Sequence, residues 1–102
     1  TYFPHADSYI RDHLFRRITV TELTQVIGVS QPYLYRIFRE AVNCSPKQYI
    51  DEVRLTRAKE LLQLENMRIS DIANSLGFSD AFAFSDFFLK RTGVRPSAYR
   101  DR

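Results

Sequence analysis

A chain of 102 residues is long enough for one domain or two very small ones and too short for a typical multidomain enzyme. Hydrophobic residues make up 44% and aromatics 14%, with three Gly and four Pro, which excludes a disordered or collagen-like chain; the apolar runs are a few residues long, as in Ala81-Phe82-Ala83-Phe84, which excludes a transmembrane helix. The net charge of +3 and pI near 9.2 permit a nucleic-acid partner without identifying one, because placement of charge matters more than its sum.

Helical periodicity dominates from the start. Over residues 6–18, Ile10, Leu14 and Ile18 recur every fourth position and predict one apolar stripe on a first helix. Thr19 with Glu22 reads as a capping box, after which Leu23, Val26 and Ile27 form the buried side of a short second helix ended by Gly28. Ser30 caps a third helix, with Pro32 in its first turn, Leu34, Ile37, Phe38 and Ala41 on its inner face and Asn43 as a left-handed stop. The fourth and longest helix, residues 46–64, carries Ile50, Val53, Leu55, Ala58, Leu61 and Leu62; at about 1.5 Å per residue it spans roughly 25 to 28 Å.

The pattern then begins again. Ile69-Ser70-Asp71-Ile72-Ala73-Asn74-Ser75-Leu76-Gly77 repeats the scheme of Val20-Thr21-Glu22-Leu23-Thr24-Gln25-Val26-Ile27-Gly28 at an offset of 49 residues. Past one inserted residue the offset becomes 50, so that Phe88 matches Phe38, Gly93 matches Asn43, Pro96 matches Pro46 and Tyr99 matches Tyr49. Two copies of one unit are present. No segment alternates with period two, so the expected fold is all-α: two helix-turn-helix subdomains of about seven helices in total, at residues 1–45 and 65–102, joined by the linker helix at 46–64.

Several sparse landmarks agree with one family. Ser30-Gln31-Pro32-Tyr33-Leu34-Tyr35-Arg36-Ile37-Phe38-Arg39, followed by Cys44-Ser45-Pro46-Lys47-Gln48-Tyr49-Ile50, resembles the first half of the DNA-binding region of AraC/XylS-type transcription regulators. Arg54-Leu55-Thr56-Arg57-Ala58-Lys59-Glu60-Leu61-Leu62 resembles the linker helix of that family, and Ile69 to Ala73, Leu76-Gly77-Phe78, Phe84, Phe88, Gly93, Pro96, Tyr99 and Arg100 resemble its second half. The resemblance implies a bacterial, sequence-specific domain for double-stranded DNA, with two helices in successive major grooves and the linker helix setting their register. It further implies activation of transcription with RNA polymerase as a partner, and a separate N-terminal domain for sensing or dimerisation. The linker segment and Lys47-Gln48-Tyr49 resemble regulators of carbohydrate use in Gram-positive bacteria.

On the helical wheel the outward arc of the third helix is Pro32, Tyr35, Arg36 and Arg39, with Gln31 at the tip and Glu40 on a flank. Arg36 suits a bidentate pair with guanine, Gln31 suits adenine, and Tyr35 suits a thymine methyl or a phosphate; Pro32 offers apolar contact alone. The resemblance places base contact at Pro32, Tyr35 and Arg36. In the second copy, Phe84, Phe87, Phe88 and Arg91 are expected inside and Phe82, Ser85, Asp86 and Leu89 outside, a surface without a cation where the family commonly has Arg and Lys at the positions of Asp86 and Leu89. Asp86 is then either a reader of cytosine N4 or a sign of weak direct readout, the latter being favoured, with Lys90, Arg91 and Arg95 holding phosphates. Phe82 and Leu89 either touch thymine methyls or a protein partner, or pack under a neighbouring loop.

The caps at Thr19 and Ser70 are candidates for phosphate contact through free helix amides, with plain capping as the simpler role. A lone Cys44 without nearby His or second Cys gives no disulfide, metal site or nucleophile and fits a cytoplasmic setting. His5 and His13 read as surface residues. No Ser/His/Asp set, phosphate-cradling glycine loop or carboxylate pair is evident, so neither catalysis nor a cofactor is expected, and no membrane. Met67 is the single methionine and no charged-then-apolar leader opens the sequence, so a longer, non-secreted parent is expected. The competing reading is a helical protein-interaction module with weak or lost DNA binding, for which Asp86 and the low net charge argue.

Overall fold

Local signals account for most helix ends. Thr19 accepts a hydrogen bond from the Glu22 amide at 3.1 Å and opens a helix; Ser30 does the same for Tyr33 at 3.3 Å and Asp80 for Ala83 at 2.8 Å. Gly28, Asn43 and Gly93 end helices in the left-handed region at φ of 79°, 56° and 82°. At Gly28 a side chain would meet nothing within 4 Å, so its positive φ is what favours glycine.

The computed structural model describes residues 2–64 and 66–101 and contains, among them, seven helices and no strand. They are α1 (Tyr2–Asp12), α2 (Val20–Ile27), α3 (Gln31–Val42), α4 (Pro46–Leu62), α5 (Ile69–Ser75), α6 (Ala81–Thr92) and α7 (Pro96–Arg100). The chain divides into two units, residues 1–53 and 54–102, inside α4; the boundary expected at residue 65 lies outside the described residues.

In the first unit α1, α2 and α3 pack on one another around Ala6, Ile10, Leu14, Ile18, Leu23, Ile27, Leu34 and Phe38, with Ile50 and Val53 supplied by the start of α4. The second unit encloses Leu55, Ala58, Leu61 and Leu62 from the rest of α4 with Ile72, Ala73, Leu76, Phe84 and Phe88. The internal repeat is visible in the contacts. Phe38 meets Tyr49 edge to face at 5.7 Å and Phe88 meets Tyr99 at 5.3 Å; the Val29 amide bonds the Thr24 carbonyl at 3.1 Å and the Phe78 amide bonds that of Ala73 at 3.0 Å.

Four expectations are corrected. The stripe of residues 6–18 is not one helix: α1 ends at Asp12, and Leu14 and Ile18 are buried from the turn and extended segment that follow. Short-range bonds from the His13 amide to Ile10 and from the Arg16 amide to His13 tighten the chain out of the α-helix. Ala41 faces solvent and Val42 packs in its place, because one residue rotates the wheel by about 100°. The fourth helix stops at Leu62, and Leu64 is exposed. His13 is no plain surface residue: its ring stacks on Tyr9 at 3.9 Å and its Nδ1 donates to the Tyr9 carbonyl at 2.7 Å, satisfying an open group at the end of α1.

Candidate nucleic-acid interface

Helix α3 is anchored by Leu34 and Phe38, both fully buried. That anchoring turns Gln31, Pro32, Tyr35, Arg36 and Arg39 to solvent together, as a single exposed surface. Arg36 is 70% exposed; its Nε lies 4.0 Å from Glu40 Oε2, a loose i,i+4 pair that leaves the guanidinium available. Tyr33, absent from the expected arc, is also exposed and meets Tyr2 edge to face at 5.8 Å beside the start of the helix.

The helix before it is held by a polar cluster that periodicity does not reveal. Arg16 donates to both carboxylate oxygens of Glu22, at 3.0 Å to Oε1, and at 3.1 Å to the Tyr9 hydroxyl, which itself donates to Glu22. The Arg16 bonds above all, then the Tyr9 bond, push the Glu22 carboxyl down to about 2. The same carboxylate raises Arg16 and Tyr9. Since Thr19 caps α2 and Glu22 lies in its first turn, the cluster fixes the entry into the helix that precedes the turn.

Helix α6 is anchored likewise by Phe84 and Phe88, yet its outer face differs. Ser85 is half-buried and accepts a bond from Arg95 at 3.0 Å; Asp86 is exposed and pairs with Lys90 at 3.3 Å. Phe82 is 78% exposed in the first turn. Leu89, expected outside, is half-buried, and Arg91, expected inside, is exposed with its guanidinium 4.1 Å over the Phe87 ring. Stacked as a cation on an aromatic face, the guanidinium covers apolar surface from an outward position, which the wheel cannot register. Ser70 is not a cap: it lies within α5, whose N-cap is Arg68 without a side-chain bond.

Two further arginines are structural. Arg54 is buried and donates to the Leu76 carbonyl at 2.9 Å, while Arg100 donates to the carbonyls of Leu62 and Leu64 at 2.9 and 3.1 Å. They satisfy backbone acceptors near the ends of α5 and α4. Among the described residues no group of His, Cys, Asp and Glu suits a metal, no helix is long and apolar enough to cross a membrane, and Cys44 is a half-buried free thiol.

The arrangement has counterparts. A helix-turn-helix domain family model matches residues 23–102. The Msm operon regulatory protein of Streptococcus mutans is 41% identical over 83 residues, 81% of this chain and 30% of that protein. The lactose operon transcription activator of Staphylococcus xylosus is 32% identical over 96 residues, 94% of this chain and 34% of that protein. The chain therefore spans about a third of the length of the curated relatives it matches. A transcriptional regulator of Chromobacterium violaceum, described among AraC-type DNA-binding domain-containing proteins, superposes with a TM-score of 0.86 at 27% identity over 98% of this chain and 89% of that one.

Proposed function

Because the chain belongs to the AraC/XylS-type helix-turn-helix family of DNA-binding domains, we propose that it binds double-stranded DNA sequence-specifically within a bacterial transcription regulator. The family is one of helix-turn-helix domains, and the solved relative is a transcriptional regulator. The observation that carries the reading is the exposed face of α3, where Gln31, Pro32, Tyr35, Arg36 and Arg39 share one side of a helix held from behind by Leu34 and Phe38. A helix of this kind fits the major groove, where Arg36 addresses guanine O6 and N7, Gln31 addresses adenine, and Tyr35 meets a thymine methyl or a phosphate. Arg39, Lys90, Arg91 and Arg95 bind phosphates and position the units, while Ser85 and Asp86 face the duplex from α6. Helix α4 is the linker between the two helix-turn-helix units.

For the whole regulator we infer activation through RNA polymerase, an N-terminal sensing or dimerisation domain and action in the cytoplasm, a reading that membership of the family supports. The name of the Staphylococcus xylosus relative supports a carbohydrate-responsive operon as the class of target. The test is selection of bound duplexes from a random pool, followed by salt titration. A steep linear fall of log affinity with log salt and a preferred site support the reading; a flat salt dependence with no preference refutes it. The exposed carboxylate of Asp86 on α6 and the low net charge of +3 favour, as a second reading, a protein-interaction module, which would give the flat result.

A further inference from the structure

The two halves of the chain present reversed chemistry on one scaffold. At the offset of 50, Pro32 matches Phe82, Arg36 matches Asp86, Arg39 matches Leu89 and Glu40 matches Lys90. The match is structural as well. Ser30 and Asp80 bond the amides of Tyr33 and Ala83 in the same way, and Asn43 and Gly93 bond the carbonyls of Arg39 and Leu89 at 3.0 and 2.8 Å. The i,i+4 ion pair is kept and inverted: Arg36 to Glu40 at 4.0 Å on α3, Lys90 to Asp86 at 3.3 Å on α6. Whatever α3 reads by donating from a guanidinium, α6 does not read at the matching position.

We propose that Phe82 is the specificity-determining residue of the second unit, selecting a thymine through its C5-methyl group. The inference rests on the DNA-binding reading above. Phe82 occupies the first turn of α6 where Pro32 occupies that of α3. Phe78, Phe84, Phe87 and Phe88 are in ring contact with one another, whereas Phe82 is 78% exposed and, among the described residues, stacks on no other ring. A benzyl group neither donates nor accepts a hydrogen bond, so the thymine methyl is the one feature of the major-groove edge that complements it. Against a phosphate or a polar base edge it would strip water without replacing a bond. Two cations held against outer positions of the same helix argue for DNA over an apolar protein surface. Arg95 is tied to Ser85 on the outer face, and Lys90 pairs with Asp86 and lowers the repulsion between that carboxylate and a phosphate strand.

The experiment replaces each thymine of the selected duplex, one at a time, by deoxyuridine, which removes the methyl and nothing else. With the 102-residue chain, one position outside the bases whose preference Arg36→Ala erases should weaken binding about fourfold, the burial of one methyl-sized group. Phe82→Ala should abolish that sensitivity and Phe82→Leu should keep part of it, with helicity unchanged in both. A selected duplex with no uridine-sensitive position, or the same sensitivity in Phe82→Ala, overturns the inference alone. Unchanged DNA binding by Phe82→Ala with lost activation in the full regulator assigns the ring to a protein partner and overturns it too. A pool that yields no preferred duplex overturns the DNA-binding reading and this inference with it.

Discussion

Replacing Arg36 by alanine tests the interface where its geometry is most specific. The side chain is 70% exposed and its one ion pair, to Glu40 at 4.0 Å, is long and solvated. Exposed pairs of this kind contribute about 0 to 1 kcal/mol, so the variant should unfold within about 0.5 kcal/mol of the parent. A bidentate arginine–guanine pair discriminates by about 1 to 3 kcal/mol, which corresponds to a loss of about 5- to 150-fold for the selected site. Fluorescence anisotropy against the selected duplex and a shuffled one of equal length separates base from backbone contact. The selected duplex should lose affinity while the shuffled one changes little. Equal losses on both, with a salt slope shallower by about one phosphate contact, would make Arg36 a phosphate ligand and refute its role in base reading. Unchanged affinity for both would remove α3 from the interface.

Other positions test the frame behind that face. Phe88→Ala, at a fully buried ring packed on Phe84 and Tyr99, should cost about 3 to 5 kcal/mol in urea unfolding; a loss under 1 kcal/mol would mean that the second core is not packed as described. Gly28→Ala adds a methyl that meets nothing within 4 Å at a φ of 79°, so only the left-handed backbone is penalised and the cost should be about 1 to 2 kcal/mol. The Glu22 carboxyl sits at about 2 when folded, below its ordinary 4.5. A depressed carboxyl stabilises the fold fully above the ordinary value and ceases to do so as pH falls through the folded one. The Tm difference between the parent and Glu22→Gln should therefore be constant near neutrality and close between pH 4.5 and about 2; a difference independent of pH over that range would show that the Arg16 and Tyr9 bonds do not hold the charged form.

What the sequence discloses is whatever is local or periodic. Capping residues Thr19 and Ser30, the left-handed stops at Gly28 and Asn43, and the inward positions Leu34, Phe38, Phe84 and Phe88 all follow from neighbours within a turn or two. The start of α4 carries an equally local signal that apolar periodicity does not show: Ser45 and Gln48 form a reciprocal capping box at 2.9 and 3.1 Å. The bonds of Arg54 and Arg100 were not legible, because they cross 22 to 38 residues to reach backbone carbonyls, and a carbonyl leaves no mark in the residue pattern. Charge arithmetic does not find the exposed cations of α3. Residues 1–53 hold six basic and six acidic residues, and residues 54–102 hold nine and six. Yet the unbalanced half uses Arg54 and Arg100 inside its own fold, and the balanced half carries Arg36 and Arg39 on an open face.

The separation between scaffold and surface explains how two copies of one unit can differ so sharply where they meet solvent. Buried rings, caps and left-handed stops recur at the fixed offset, even where the chemistry changes, as from Ser30 to Asp80 or Asn43 to Gly93. Substitutions at such positions cost kilocalories, so they are constrained by folding. The outer positions of α3 and α6 touch little of their own unit, and exchanging residues there costs about 0.5 kcal/mol or less. Inverting Arg36 and Glu40 into Asp86 and Lys90 even preserves the favourable i,i+4 pairing within the helix. The helix therefore does not register the inversion, while the outer face of α6 offers a carboxylate where α3 has the Arg36 guanidinium and a benzyl ring where α3 has Pro32. On the proposed DNA-binding reading, sequence preference is free to diverge between the halves, because the groups assigned to it are ones that folding does not use.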